Sequence, residues 1–457
     1  MGYLHGELGA AGGSVTCPDT AAGETTRPFS RALVWLGFLV PLFFITYLGS
    51  LEIVSWREHV PVLLFEWERH IPFLAWTVVP YWSIDLLYGL SLFLCLTRFE
   101  LDRLGLRLFS AQVISVTIFV IAPLKRTSTV PADTGMFSFF FAALEDMVGE
   151  PFNLAPSLHI ALLVILWVHF ARHIPKRWHI PMHLWASLIG VSVLTTNQHH
   201  FFDVPTGVAL GLFCLWLWPE SGRSPLASAQ CTSDPKRWWL ASFYVVGAVL
   251  CTLVAIVFGG WFLWLLWPTL SLTMVAAAYA VLGTAAFQKD ETGEMSFAAK
   301  WLYEPYLLGV KLNAAIWTRG LPPTSEFAPG LSIGPRPRHP LAGTVIIDMC
   351  AELPGRGNGK DWISHSTLDL IAPEPETIAR AALSVETARQ SGSPVQICCA
   401  LGFSRSASVA VAWLVRYGGY ASVDDAVTHL RRVRPQILIH DAQRTALETA
   451  AGFLVTA

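Results

Sequence analysis

The chain has 457 residues, of which 53% are hydrophobic and only 14% charged, with 19 Trp and a formal net charge of −2. This is not the composition of an ordinary soluble protein, and the lack of net positive charge gives no support for a nucleic-acid partner. The apolar excess lies almost entirely before residue 285.

Residues 1–30 are rich in Gly, Ala and Thr and read as a disordered tail without a cleavable secretion signal. Eight apolar runs then approach the ~20 residues that span a bilayer. They cover about 32–54, 72–96, 104–124, 156–173, 179–197, 203–219, 238–259 and 261–284. The last pair is open to two further readings, a broken pair or a re-entrant segment. The expected organisation is an all-α polytopic membrane bundle (31–220), a linker with two further spans (221–284), a juxtamembrane connector (285–324) and an α/β domain (325–457). The connector carries Trp301, Tyr303, Tyr306 and Trp317, which suit a segment lying on headgroups. The eight Cys have no metal-ligand spacing, and Cys95, Cys214 and Cys251 sit in apolar runs as packing residues.

With eight spans, both termini share a side. Loops on that side hold Arg98, Arg103, Arg107, Arg172, Lys176, Arg177, Arg223, Lys236 and Arg237. The opposite loops hold Arg57, Arg69, Lys125 and Arg126. The bias places both termini in the cytoplasm, with the chain in the cell or inner membrane.

Near the C-terminus, Cys399-Ala400-Leu401-Gly402-Phe403-Ser404-Arg405-Ser406 follows a buried-strand pattern (Val395–Cys398) and precedes a helical pattern (Ser406–Tyr417). Five residues between Cys and Arg can wrap their N–H groups, Gly402 and Ser404 included, around a phosphoryl group. Arg405 can close the cradle with a bidentate fork. The N–H groups and the following helix favour a Cys399 thiolate nucleophile.

This stretch resembles the active-site loop of the cysteine-based protein phosphatases, in particular the dual-specificity branch, over residues 325–455. Leu331–Gly334 and Val345–Asp348, followed by Ala351-Glu352, look like that family's first two strands, and Val433-Arg434-Pro435 like its late turn. The resemblance implies that Asp369, 30 residues before Cys399, protonates the leaving oxygen. It also implies that Ser406 helps the thiolate leave. The family's His before the nucleophile is here Cys398, and restoring His is expected to be neutral or activating. Arg431, Arg432 and Arg434 read as a solvated face of a late helix.

The membrane half carries Pro156-Ser157-Leu158-His159 and His199-His200-Phe201-Phe202-Asp203 at span ends. Ionisable groups there are expensive and tend to be functional. Two imidazoles and a carboxylate suffice for in-line phosphoryl transfer without metal. These residues resemble the type 2 phosphatidic acid phosphatase superfamily, closest to its inositolphosphoceramide-synthase-like branch, over residues 70–220. The resemblance implies His199 as nucleophile, Asp203 as its partner and His159 as acid. Lys125 and Arg126 are the candidate phosphate clamps, and His200 is structural. The Ser-Arg that usually opens the later motif is absent, since Ser192 is followed by Val193.

The expected function is a two-headed membrane phosphatase. One head hydrolyses lipid phosphates or transfers headgroups, and the other acts on phosphoproteins. Two alternatives stay open: one half is a degenerate binding module, or the cysteine domain takes lipid phosphates. Neither chemistry calls for a cofactor. The expected partners are membrane lipids and the phosphorylated substrates.

Overall fold

A computed structural model describes residues 27–148, 152–356 and 361–455. Most of the expected N-terminal tail, residues 1–26, lies outside them. The chain divides into two compact units, Met1–Ser224 and Pro225–Ala457.

The first unit is helical: α1 (Phe29–Ser55), α2 (Val78–Leu94), α3 (Arg98–Ile121), α4 (Ser138–Val148), α5 (Leu158–His173), α6 (His179–Thr195) and α7 (Asp203–Leu217). Its core gathers Leu39, Leu104, Leu108, Ile165, Ile189 and Val193. Asp102 joins α1 to α3 by accepting from Arg31 (2.6 and 2.7 Å) and from Trp35 Nε1 (2.9 Å). Ser157 caps α5 by accepting from the Ile160 N–H. Helices α5 and α7 meet through Gly207 and Gly211. A Cβ at Gly207 would lie 2.6 Å from the Ser157 carbonyl, and one at Gly211 would lie 2.7 Å from Val164 Cβ. This small-residue spacing lets two apolar helices approach closely, and it brings the starts of α5 and α7 together.

In the second unit, α8 (Pro235–Phe258) starts at an Asp234 cap with Pro235 in its first turn. Gly259 and Gly260 adopt positive φ (57° and 53°) and turn the chain into Gly260–Phe287. That segment contains α9 (Leu266–Ala277) and a single π turn, Ala278–Leu282. Then comes α10 (Phe297–Trp317), with Phe297, Trp301, Leu308, Leu312 and Ile316 exposed at helical spacing on one face.

The α/β part holds β1 (Ser325–Ala328), β2 (Leu331–Pro335), β3 (Val345–Cys350), β4 (Trp362–Thr367) and β5 (Val395–Cys399). Its helices are α11 (Pro375–Gln390), α12 (Arg405–Arg416), α13 (Val423–Val433) and α14 (Asp441–Val455). The sheet order is β1-β2-β5-β3-β4, parallel except for β1 against β2. The edge strand β1, absent from the sequence reading, precedes the strand expected to be first. Part of the expected connector also docks on this domain: the Ser364 N–H donates to the Glu291 carbonyl (2.8 Å), and Gly355 N–H to the Gly293 carbonyl.

All eight expected spans are helical, but among the described residues only five segments are long and apolar enough to cross a bilayer: Phe29–Ser55, Ala75–Leu94, Arg98–Ile121, Pro235–Phe258 and Gly260–Phe287. The count falls short because α5, α6 and α7 have only 16, 17 and 15 residues. Gly207→Val forces branched bulk into the α5–α7 contact. It is expected to cost about 1–3 kcal/mol, read as a lowered melting temperature of the detergent-purified protein. An unchanged melting temperature would mean that this close approach does not contribute to stability.

Candidate active sites

The C-terminal site forms where β5 ends. All five β5 residues are buried, which holds Cys399 at the sheet's carboxyl edge with α12 starting six residues later. In the intervening loop Gly402 has φ +72°, and a Cβ there would lie 2.2 Å from the Gly334 carbonyl carbon. Only glycine fits both the conformation and the space. Gly402 N–H donates to Cys399 Sγ (3.2 Å), and Ser406 Oγ lies 3.3 Å from the same sulfur. The sulfur thus sits beside a helix N-terminus, where anions are favoured.

Arg405 is the first residue of α12 and is buried. It donates to both oxygens of Glu352 (2.8 and 2.7 Å) and to the Thr367 carbonyl (3.0 Å), and it pairs with Asp369 Oδ1 (2.8 Å). Burial opposes its charge, but the carboxylates of Asp369 and Glu352 outweigh burial and hold the guanidinium well above its ordinary range. Asp369 lies in the loop after β4 with its side chain 41% exposed, so its carboxylate can reach solvent and ligand.

Other contacts hold the loop, and the sequence did not reveal them. Glu352 clamps Arg405. Arg434 caps α13 and is 1% exposed, contrary to the solvated face expected for Arg431, Arg432 and Arg434. Its Nε donates to the Gly402 carbonyl (3.0 Å), and its Nη1 to the Pro322 carbonyl and Ser325 Oγ (3.3 Å each). It turns inward because it lies past the last helical turn, off the exposed face of α13. Gln443 donates to Ser404 Oγ.

Behind the loop, Cys398 is fully buried with Ile346 and Trp362. It sits in register with Asp348, whose carboxylate binds Lys289 Nζ (2.7 Å) and accepts from Trp362 Nε1 (3.2 Å). Burial, reinforced by Asp348, pushes the Cys398 thiol well above its ordinary range, so it stays protonated and unreactive.

In the first unit, Asp203 opens α7, and its Oδ2 lies 3.1 Å from His199 Nδ1 and accepts from the His200 N–H (2.8 Å). The other ring nitrogen of His199 lies 3.2 Å from Ser157 Oγ. A carboxylate accepts only, so Nδ1 carries a proton. His159 stacks on Tyr81 (4.2 Å), and its Nε2 is buried without a hydrogen-bond partner among the described residues. His159 and His199 line one cavity of about 100 Å³ together with Tyr47, Tyr81, Asp85 and Asn153.

His200 is buried, and its Nε2 accepts from the Thr127 N–H (3.3 Å). Of the candidate clamps, Arg126 donates to Gln198 Oε1 (2.6 Å), and Lys125 Nζ lies over the Phe152 ring (5.7 Å). Glu68, missed in the sequence, is buried and accepts from the Phe201 N–H (2.6 Å), fixing the turn that carries both histidines.

Residues 371–450 match the family model for "Dual specificity phosphatase, catalytic domain". The C-terminal domain is therefore a dual-specificity-type cysteine phosphatase domain. Similar solved structures include Tk-PTP in its active form (23% identity, 29% of this chain and 98% of that one, TM-score 0.26). Human DUSP28 has 23% identity over 29% of this chain and 96% of its own, with a TM-score of 0.26. PTPMT1 in complex with PI(5)P has 16% identity over 30% and 98%, with a TM-score of 0.27.

The packing behind the loop revises one expectation. Imidazole is larger than a thiol and meets a fully buried Lys289–Asp348–Trp362 cluster. Cys398→His is therefore expected to cost about 1–3 kcal/mol by overpacking, read as a lower melting temperature with reduced turnover. Unchanged stability would show that the pocket has room for the ring.

Proposed function

We propose that this chain is an integral membrane protein with two independent phosphatase centres. The observation that carries the reading is the Cys399–Arg405 loop with its Ser406 and Asp369 partners. Cys399 Sγ attacks phosphorus in line, and Arg405 forks two non-bridging oxygens after exchanging Asp369 for the phosphate. Asp369, freed from the ion pair, takes up a proton from solvent and passes it to the leaving oxygen. Water then attacks the phosphocysteine with Asp369 as base, and the Ser406 hydroxyl stabilises the departing thiolate.

In the membrane half, the Ser157–His199–Asp203 chain and a shared cavity with His159 support a histidine mechanism. His199 Nε2 attacks phosphorus once the Ser157 hydroxyl swings aside, and Asp203 stabilises the imidazolium. His159 protonates the leaving alcohol. Water as second acceptor makes the centre a lipid-phosphate hydrolase, and a lipid alcohol makes it a headgroup transferase. Arg126, held by Gln198, and Lys125 are the cations proposed to bind the phosphate there.

A second reading of the cysteine centre is a lipid-borne phosphate monoester. It is favoured by Tyr279, from an apolar segment long enough to span a membrane, which touches the Asp369 loop. Eight crossings require α5–α7 to span although a helix of 16 residues is only about 24 Å long. Local thinning and snorkelling of Arg172, Lys176 and Arg177 would offset the mismatch.

Cys399→Ser is expected to abolish aryl-phosphate hydrolysis, since a serine hydroxyl stays protonated. His159→Ala and His199→Ala are each expected to eliminate lipid-phosphate turnover at the membrane centre while leaving the aryl-phosphatase activity intact. In the His199→Ala background, residual lipid-phosphate turnover lost on Cys399→Ser identifies the second reading, and phosphopeptide turnover alone the first. Near-normal activity of Cys399→Ser rules out the thiolate mechanism.

The charge bias puts the His159–His199 centre on the face opposite Cys399. An impermeant thiol reagent on intact cells is expected to label a single cysteine in loop 127–150 and spare one near residue 230. The reverse pattern would invert the orientation.

A further inference from the structure

Asp369 is held at two points. Its carboxylate pairs with Arg405 (2.8 Å), and its backbone carbonyl accepts from the hydroxyl of Tyr279 (3.0 Å). Tyr279 is 1% exposed and lies in the π turn that interrupts the apolar segment Gly260–Phe287. Single π turns inside helices recur at functional sites. Here the turn is fixed from behind: Arg237, near the start of α8, donates to the carbonyls of Tyr279 (2.8 Å) and Ala278 (3.3 Å). The Tyr279 ring stacks on Tyr244 of α8 (5.5 Å), which meets Tyr306 of α10 edge-on (5.8 Å). Three helical elements outside the α/β domain thus hold one hydroxyl against one carbonyl.

The next residue shows what that contact restrains. Leu370 has φ +60°, an unfavourable conformation for a branched side chain, and it is 60% exposed. Nothing on its own side chain accounts for the strain. Left-handed backbone at a non-glycine residue persists where its surroundings over-determine it. Here the Tyr279–Asp369 bond immediately precedes it.

We propose that Tyr279 is a positioning residue for the general acid, so that the apolar hairpin and the cysteine phosphatase domain form one catalytic unit. This rests on the reading of Asp369 as the acid. An arriving phosphate takes Arg405 from Asp369, and the residue loses one of its two restraints just when its carboxyl must aim at the leaving oxygen. The Tyr279 hydrogen bond survives that exchange, because it holds the backbone and not the carboxylate. The acid then reaches the leaving group by a side-chain rotation from a fixed main chain. An α/β domain cut free at residue 285 lacks this restraint and handles poor leaving groups badly.

The test uses the full chain in detergent with two soluble substrates, 4-nitrophenyl phosphate and phenyl phosphate. The first has a good leaving group and needs little protonation, whereas the second depends on the acid. Tyr279→Phe removes one hydroxyl and keeps the ring stack. It is expected to lower kcat/KM for phenyl phosphate by about tenfold, part of the 10²–10⁴-fold that a positioned acid supplies, while 4-nitrophenyl phosphate changes by less than about twofold. In an Asp369→Asn background, Tyr279→Phe is expected to add nothing, because its effect runs through that carboxyl. Equal losses on both substrates, additive losses in the double variant, or no loss on either overturn the proposal. If Asp369→Asn itself shows no dependence on the leaving group, the acid assignment fails and takes this proposal with it. If Asp369→Asn shows that dependence and Tyr279→Phe does not, only the role of Tyr279 fails.

Discussion

A guanidinium removed from water must be paired, or the charge destabilises the fold around it. Arg405 is paired twice, with Glu352 just after β3 and with Asp369 in the loop after β4. The two carboxylates leave the centre electrostatically satisfied before any ligand arrives. They also differ in kind. Glu352 is buried and bidentate, and it serves as a permanent anchor that fixes the fork's orientation. Asp369 is partly exposed and monodentate, and it is the partner a phosphate can displace. The asymmetry explains how one arginine can be locked in place and still be available.

The remaining architecture supports that exchange. Buried β5 places the sulfur, Gly402 lets the loop pass against Gly334, and Arg434 and Gln443 secure the loop from α13 and beyond. The Lys289–Asp348 pair fills the space behind Cys398, so the residue before the nucleophile is a packing residue and not a loop-ordering one. In the first unit a different device serves the same end. Glycines on α7 let it close on α5, which sets Ser157 and His159 beside the His199–Asp203 pair. One centre is organised by a buried cation and the other by an imidazole that a carboxylate orients.

The parts legible in the sequence were those whose residues lie close together along it. The Cys399–Arg405 spacing, the strand before it and the helix after it follow from one contiguous stretch. His199 and Asp203 are four residues apart and meet for the same reason. Glu352, Arg434, Lys289, Glu68 and Tyr279 act through contacts with residues distant along the chain, and none carries a local pattern that announces its partner. Arg434 was misleading because it follows two exposed arginines, yet the end of α13 turns it inward. The edge strand β1 is four residues long, too short for its alternation to be read. The span count is least legible over α5–α7, whose apolar runs fold into helices of only 16, 17 and 15 residues.

The central claim is that phosphoryl groups pass through two separate covalent intermediates on this chain. Rapid acid- and base-quench trapping with radiolabelled substrates, followed by peptide mapping, reads this directly. The account predicts label on the Cys399 peptide from an aryl phosphate and on the His199 peptide from a lipid phosphate. Label on a single peptide from both substrates, or turnover without any labelled peptide, would contradict it.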